Sequence, residues 1–208
     1  MGEPLYHAIG DSHTRIFEGQ YPFITHTLGP ATAYGLNNEN SRTGSRKKLA
    51  SVIRKIDRSR DFIILSFGEI DCRFHVLNLY EKSGGEKSPE EIIDKSIGNY
   101  LKVVGQFDLR DGRLMLLSIP PAGRQDNIYK YPFYGTQKKR AIITKMFNEQ
   151  LAQACKEREI RFIDLYSKVC GDDGIIPMQY EEDETHLNNK VVPFVREILA
   201  LNRKKMET

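Results

Sequence analysis

Apolar residues gather in five short runs, and four of these stop at a residue that breaks a strand. Residues 5–9 halt at Gly10, 23–28 at Gly29, 62–67 at Gly68, and 114–119 at Pro120-Pro121; residues 161–166 form the fifth run. The third is apolar almost throughout, as a strand covered on both faces should be. Between the runs the spacing changes to three or four. Leu49, Val52, Ile53 and Ile56 form one such set; Ile93, Ile97, Tyr100, Leu101 and Val104 a second; Ile143, Phe147, Leu151 and Ala154 a third. Each set marks one face of a helix. A last helix is expected from about Asn189 to Asn202, with Pro193 accommodated in its first turn. Residues 81–89, with Ser83-Gly84-Gly85, read as a flexible loop, and 128–134 as a loop carrying Tyr129, Tyr131, Phe133 and Tyr134. Strands alternating with helices predict a three-layer, flavodoxin-like α/β fold around a mostly parallel five-stranded sheet.

The length of 208 residues fits a single domain spanning 1–208, able to bury a sizeable core without disulfides or metal. The apolar share of 39% and charged share of 28% are those of a soluble globular chain. A net charge of +3 is too small to argue for a nucleic-acid partner. The basic residues Arg46, Lys47, Lys48, Arg54, Lys55, Arg58 and Arg60 interleave with the first apolar stripe and read as the solvated face of its helix. Cys72, Cys155 and Cys170 are odd in number and widely spaced, so no disulfide framework is implied and a reducing compartment is the simpler reading. The N-terminus lacks the features of a signal peptide, and no apolar run approaches the ~18 residues of a membrane span. The expectation is a cytoplasmic protein with neither a membrane nor a nucleic-acid partner. Cys72-x-x-His75 has metal-like spacing, but no second pair accompanies it and zinc needs three or four ligands. Neither metal nor cofactor is expected.

Folds of this class bind ligands beyond the C-terminal ends of their strands. Three of those ends are unusual: Gly10-Asp11-Ser12-His13, Leu28-Gly29-Pro30-Ala31-Thr32 and Gly68-Glu69-Ile70-Asp71-Cys72-Arg73. Gly10 permits a tight turn, and Ser12 can aim its hydroxyl into the cleft. Asp11 or Ser12 is equally suited to cap the next helix. A serine hydroxyl needs a base to become a nucleophile. Asp183 and His186, three apart, can supply an imidazole and the carboxylate that orients it. Alone, that stretch reads as an acidic surface loop. His13 lines the pocket or is a partly buried structural residue, and His7 reads as structural. Glu69, Asp71, Arg73 and His75 crowd one strand end, either as working groups or as a solvated ion-pair cluster. Arg15 and Arg124 are candidates for an anionic substrate.

In combination these segments resemble the SGNH/GDSL hydrolase family. Gly10-Asp11-Ser12 follows the first strand, and Gly29 is followed six residues on by Gly35-Leu36. Gly68-Glu69-Ile70-Asp71 stands where the family has Gly-x-Asn-Asp, and Asp183-x-x-His186 precedes the last helix. The resemblance implies Ser12 as nucleophile, His186 as general base and then acid, and Asp183 as the orienting carboxylate. It implies an oxyanion hole from the backbone N–H groups of Ser12 and Gly29 plus the asparagine of the third motif. Ile70 occupies that position and cannot donate, so Arg73 or His75 is expected to take the role. Asp11, His13, Glu69, Asp71, Arg73 and His75 are the expected substrate contacts. The expected activity is hydrolysis of a small O-acyl ester through an acyl-enzyme on Ser12. The aromatic loop favours an acylated sugar or glycan precursor. An O-acyltransferase using the same triad and a non-catalytic carbohydrate-binding protein are the alternatives.

Overall fold

The computed structural model describes residues 3–107, 113–126 and 130–204. Ile128 and Tyr129 of the expected aromatic loop lie outside them. Five parallel strands form the sheet: β1 (Tyr6–Gly10), β2 (Phe23–Thr27), β3 (Phe62–Ser66), β4 (Leu114–Leu117) and β5 (Arg161–Ile163). Their order is β2-β1-β3-β4-β5, the flavodoxin-like arrangement. Its topological switch falls between β1 and β3, where crevices open beyond the strand ends. Register pairs Gly10 with Thr27 on one side and with Ser66 on the other, so the ends of β1, β2 and β3 are level.

Alternate residues of the strands enter two separate cores. Ile63, Leu65, Leu114 and Leu116 join Leu49, Ile53, Ile93, Tyr100, Phe147 and Leu151 on one face. Phe62, Ile64, Met115 and Leu117 join Ile16, Phe17, Val191, Val195 and Leu199 on the other. The helices supplying the first face are α1 (Ser45–Ile53), α2 (Val76–Lys82), α3 (Pro89–Val104) and α4 (Gln137–Glu157). The second face is covered by the 3-10 turn Ser12–Phe17, the short α5 (Tyr166–Val169) and α6 (Val192–Lys204). The inner strands β1, β3 and β4 are thus buried on both faces, which accounts for their apolar runs, whereas the edge strand β2 is partly exposed.

Element ends follow local chemistry. Ser88 and Glu91 form a reciprocal capping box at the start of α3, with Pro89 in its first turn. Residues 81 and 82, expected in a loop, complete α2. Asn188 caps a 3-10 turn, Asn189–Val191, that leads into α6 with Pro193 in its first turn. The fifth run reads as strand to residue 166 but pairs only to Ile163, because Tyr166 opens α5. Gly10 departs from expectation in its reason. A Cβ there would lie 2.1 Å from the Ser66 carbonyl oxygen. Close strand approach, rather than a tight turn, demands glycine.

Candidate active site

β1 delivers Ser12 two residues past its end. Asp11 caps the following 3-10 turn, its carboxylate accepting the His13 N–H at 3.0 Å. Of the two residues suited to cap this turn, Asp11 takes the role, and the Ser12 hydroxyl is not used for it. From the far end of the chain, residues 180–188 fold back on themselves. The Glu182 N–H donates to the His186 carbonyl and the Asn188 N–H to the Tyr180 carbonyl, each at 2.8 Å. Within this loop one oxygen, Asp183 Oδ1, accepts from the Thr185 and His186 N–H groups, both at 3.0 Å. The same oxygen lies 2.8 Å from His186 Nδ1. His186 Nε2 lies 2.8 Å from Ser12 Oγ. Ser12, His186 and Asp183 thus form a continuous hydrogen-bonded chain across 174 residues of sequence.

Electrostatics give this chain a direction. Burial opposes charge on Asp183, but the Thr185 and His186 bonds overcome it and hold the carboxyl well below its usual range. Burial, then the charge on nearby His13, push His186 below its ordinary 6.5, against the pull of Asp183. A neutral imidazole with Nδ1–H on the carboxylate leaves Nε2 free to accept the serine proton.

The segment 130–134 closes over this arrangement. The Tyr131 ring meets His186 edge-on at 5.3 Å, and Lys130 Nζ lies 3.6 Å from Asp183 Oδ2. Arg73 pins the segment through the Pro132 carbonyl, and the Tyr134 N–H returns to the Arg73 carbonyl at 2.9 Å. Buried Arg140 holds the Gly135 carbonyl at 2.8 Å. Gly29, two residues past the end of β2, has a φ of 87° that favours glycine, with open space where a Cβ would stand. Lys48 Nζ holds the Leu28 carbonyl at 3.0 Å and so fixes the peptide that carries the Gly29 N–H. The N–H groups of Ser12 and Gly29 donate to no backbone acceptor among the described residues.

Five of the six expected substrate contacts, Asp11, His13, Glu69, Asp71 and Arg73, are buried. Asp71 is fully buried, its two oxygens accepting the Ala33 and Tyr34 N–H groups at 2.7 and 3.0 Å. Burial raises its pKa to about 7 against those two bonds. Asp71 therefore fastens the loop after β2, and Asp11 caps a turn; both sit behind the site. Glu69 and Arg73 form a buried ion pair at 2.6 Å. With Arg140, Pro120 and Thr144 they line a cavity of about 10 Å³, room for one water and no substrate. Arg73, expected to replace the missing asparagine, is held by Glu69 and Pro132. His13 is buried, stacked against His186, and lines a small cavity of about 10 Å³ with Ser66, Leu117 and Leu187. Only His75 is half-buried, packed by Tyr34 and Phe74. Ile70, also half-buried, lies in a helical stretch that begins at Glu69 and whose π-type turn, Asp71–His75, precedes α2. Arg15 is exposed, and Arg124 donates to the Ile176 carbonyl. No group of three or more His, Cys, Asp or Glu able to hold a metal occurs among the described residues. Cys72 is buried, with its thiol pushed up by burial.

Sequence reasoning did not single out Lys48, Lys130 or Thr185. Lys48 sits on a basic helix face, and only the fold shows one of those cations turning back to a loop carbonyl. Lys130 and Thr185 carry no periodic or motif signal.

No protein-family model and no curated protein sequence matches the chain. Solved structures do. A GDSL-like lipase from Bacteroides thetaiotaomicron superposes with a TM-score of 0.61 at 14% identity, over 99% of this chain and 93% of its own. The carbohydrate acetylesterase Est24 from Sinorhizobium meliloti gives 0.59 at 13%, over 98% and 100%. A lipolytic G-D-S-L family member from Veillonella parvula gives 0.55 at 13%, over 93% and 94%. The chain has the five-stranded α/β fold shared by these GDSL-type proteins.

Proposed function

We propose that the protein is a serine hydrolase of small O-acyl esters, with Ser12 as nucleophile, His186 as base and acid, and Asp183 as the orienting carboxylate. The observation that carries this reading is the hydrogen-bonded chain from Ser12 Oγ through His186 to Asp183, with both links at 2.8 Å. The fold it shares with lipases and esterases supports the same reaction class.

In this reading His186 Nε2 takes the Ser12 proton as Oγ attacks the acyl carbonyl. Negative charge moves to the carbonyl oxygen, where the Ser12 and Gly29 N–H groups receive it. Lys48 strengthens the second donor, since a cation on the Leu28 carbonyl polarises the same peptide. His186 then returns the proton to the leaving alcohol, leaving an acyl-serine that water hydrolyses by the reverse sequence. Ile70 removes the third donor, which predicts turnover slower by about 10²–10³ than a three-donor site allows.

The substrate favoured is an acylated sugar. Tyr131 places one flat ring against the triad, edge-on to His186. Structural neighbours include a carbohydrate acetylesterase and an acetyl xylan esterase. The test is hydrolysis of p-nitrophenyl acetate and acetylated oligosaccharides, with fluorophosphonate labelling of the serine. Ser12→Ala is expected to abolish both while leaving the circular dichroism unchanged. Undiminished turnover in that variant refutes the assignment.

A further inference from the structure

A second histidine lies directly beneath the proposed base, and the reaction outlined above does not use it. The His13 and His186 rings stack with centroids 4.5 Å apart and planes 25° from parallel. His13 Nε2 is 3.1 Å from the Thr185 carbonyl, which can only accept, so this nitrogen carries a proton. Nδ1 is 3.0 Å from Asp11 Oδ1, an oxygen that already accepts the His13 backbone N–H. A carboxylate collecting N–H donors is the ionised form, so Nδ1 donates to it. Two donating nitrogens make an imidazolium. Glu69 Oε2, buried and without a hydrogen-bond partner, lies 3.9 Å from Nε2 and supplies a second negative neighbour.

We infer that His13 is a permanently charged positioning residue. Its imidazolium ties the nucleophile turn to the base loop through Thr185, and it keeps the stacked His186 neutral at working pH, so that Nε2 is free to take a proton. The catalytic half of this inference rests on the esterase reading. The charge itself does not.

The groups facing His186 come from four elements. Asp183, on its own loop, favours protonation, and Thr185 Oγ1 lies 3.1 Å from Nδ1. Glu69, from the helical stretch after β3, also favours protonation. The segment 130–134 adds the Tyr131 ring, with the Arg73 guanidinium 5.6 Å from its centroid and the Lys130 ammonium against Asp183. His13, from the turn after β1, opposes protonation, and with burial it prevails. Burial also opposes charge on His13, but Asp11 and Glu69 overcome it and raise that group to about 9. During the reaction the same imidazolium makes transiently charged His186 a stronger acid toward the leaving alcohol.

The test begins with the resting protein. Long-range ¹H–¹⁵N spectra of the histidine rings are recorded from pH 5 to 8. His13 is assigned by its loss in His13→Gln. Both His13 nitrogens are expected to stay protonated throughout, while His186 titrates below 6.5. A neutral His13 at pH 7 overturns the proposal. In His13→Gln, which keeps a donor for Thr185 but no charge, the His186 titration and the acid limb of kcat/KM should both rise by about one pH unit. A purely structural role would lower kcat and leave both midpoints in place, and that result also overturns it. Absence of esterase turnover with the ring titrations as expected removes the esterase reading and supports the charge on His13.

Discussion

Gly123 offers a test of the site's geometry that touches none of the reacting atoms. It follows Ala122, which bridges to Ile175, and it backs directly onto the loop that carries Asp183 and His186. A Cβ at Gly123 would sit 1.9 Å from the Glu184 carbonyl oxygen, where ordinary contact begins at 3.4 Å. The loop must therefore retreat by about 1.5 Å. Both partners are backbone, so no side chain can swing away to relieve the clash. The retreating segment includes Thr185, held by His13, and His186, held by Asp183 and Ser12. A misplacement near 1 Å at reacting groups costs on the order of 10² in rate. Gly123→Ala is expected to lower kcat/KM on p-nitrophenyl acetate by about that factor, with a stability loss of about 1–3 kcal/mol from overpacking. Gly98→Ala, on an exposed face of α3 with nothing within 4 Å, is the matched control. Circular dichroism and urea titration separate a shifted site from an unfolded one. Full activity at wild-type stability refutes the argument, because it means that the backbone at Glu184 does not govern His186.

Asp71→Asn places an amide NH₂ against one of two buried backbone N–H groups and should lower the unfolding free energy by about 1–3 kcal/mol in urea titration. His13, raised from 6.5 to about 9, contributes stability that is complete below pH 6.5 and lost as pH rises through 9. The urea midpoint should therefore fall between pH 6.5 and 9, and fall less in His13→Gln. Ile70→Asn restores the third donor type on a half-buried position and should raise kcat by up to about 10²-fold; an unchanged kcat means the oxyanion is already fully served.

The fold was legible because its signal is local. A strand covered on both faces must be apolar at every position, and Phe62-Ile63-Ile64-Leu65 can have no other use. Strand ends were less legible. Leu28, Phe67, Ile119 and Leu165 are buried, but in the turns beyond the sheet, so hydrophobicity outruns hydrogen bonding there. At the site, the segments carrying Ser12, Gly29, Asp183 and His186 stood out because each motif has its own spacing. The work of Glu69, Asp71 and Arg73 was illegible. Asp71 meets Ala33 and Tyr34 across a separation of 38 and 37 residues, and no pattern along the chain records that pairing.

Those three residues bear on why an isoleucine stands where the related motif has asparagine. The stretch after β3 fastens three separate pieces of the site. Asp71 holds the backbone after Gly29, Arg73 holds the segment that covers His186, and Glu69 sits against the His13 that backs the base. A residue at position 70 lies among these anchors but makes none of them. In the proposed mechanism, losing a donor there removes one stabilising contact to the oxyanion, whereas losing any of its neighbours would move a whole segment. Backbone N–H groups can stand in for a side-chain donor, since Ser12 and Gly29 already present two. Nothing along the backbone can stand in for a buried carboxylate that holds two amides at once. On this argument position 70 is the place in the motif where change is tolerated, and the cost falls on rate rather than on the architecture of the site.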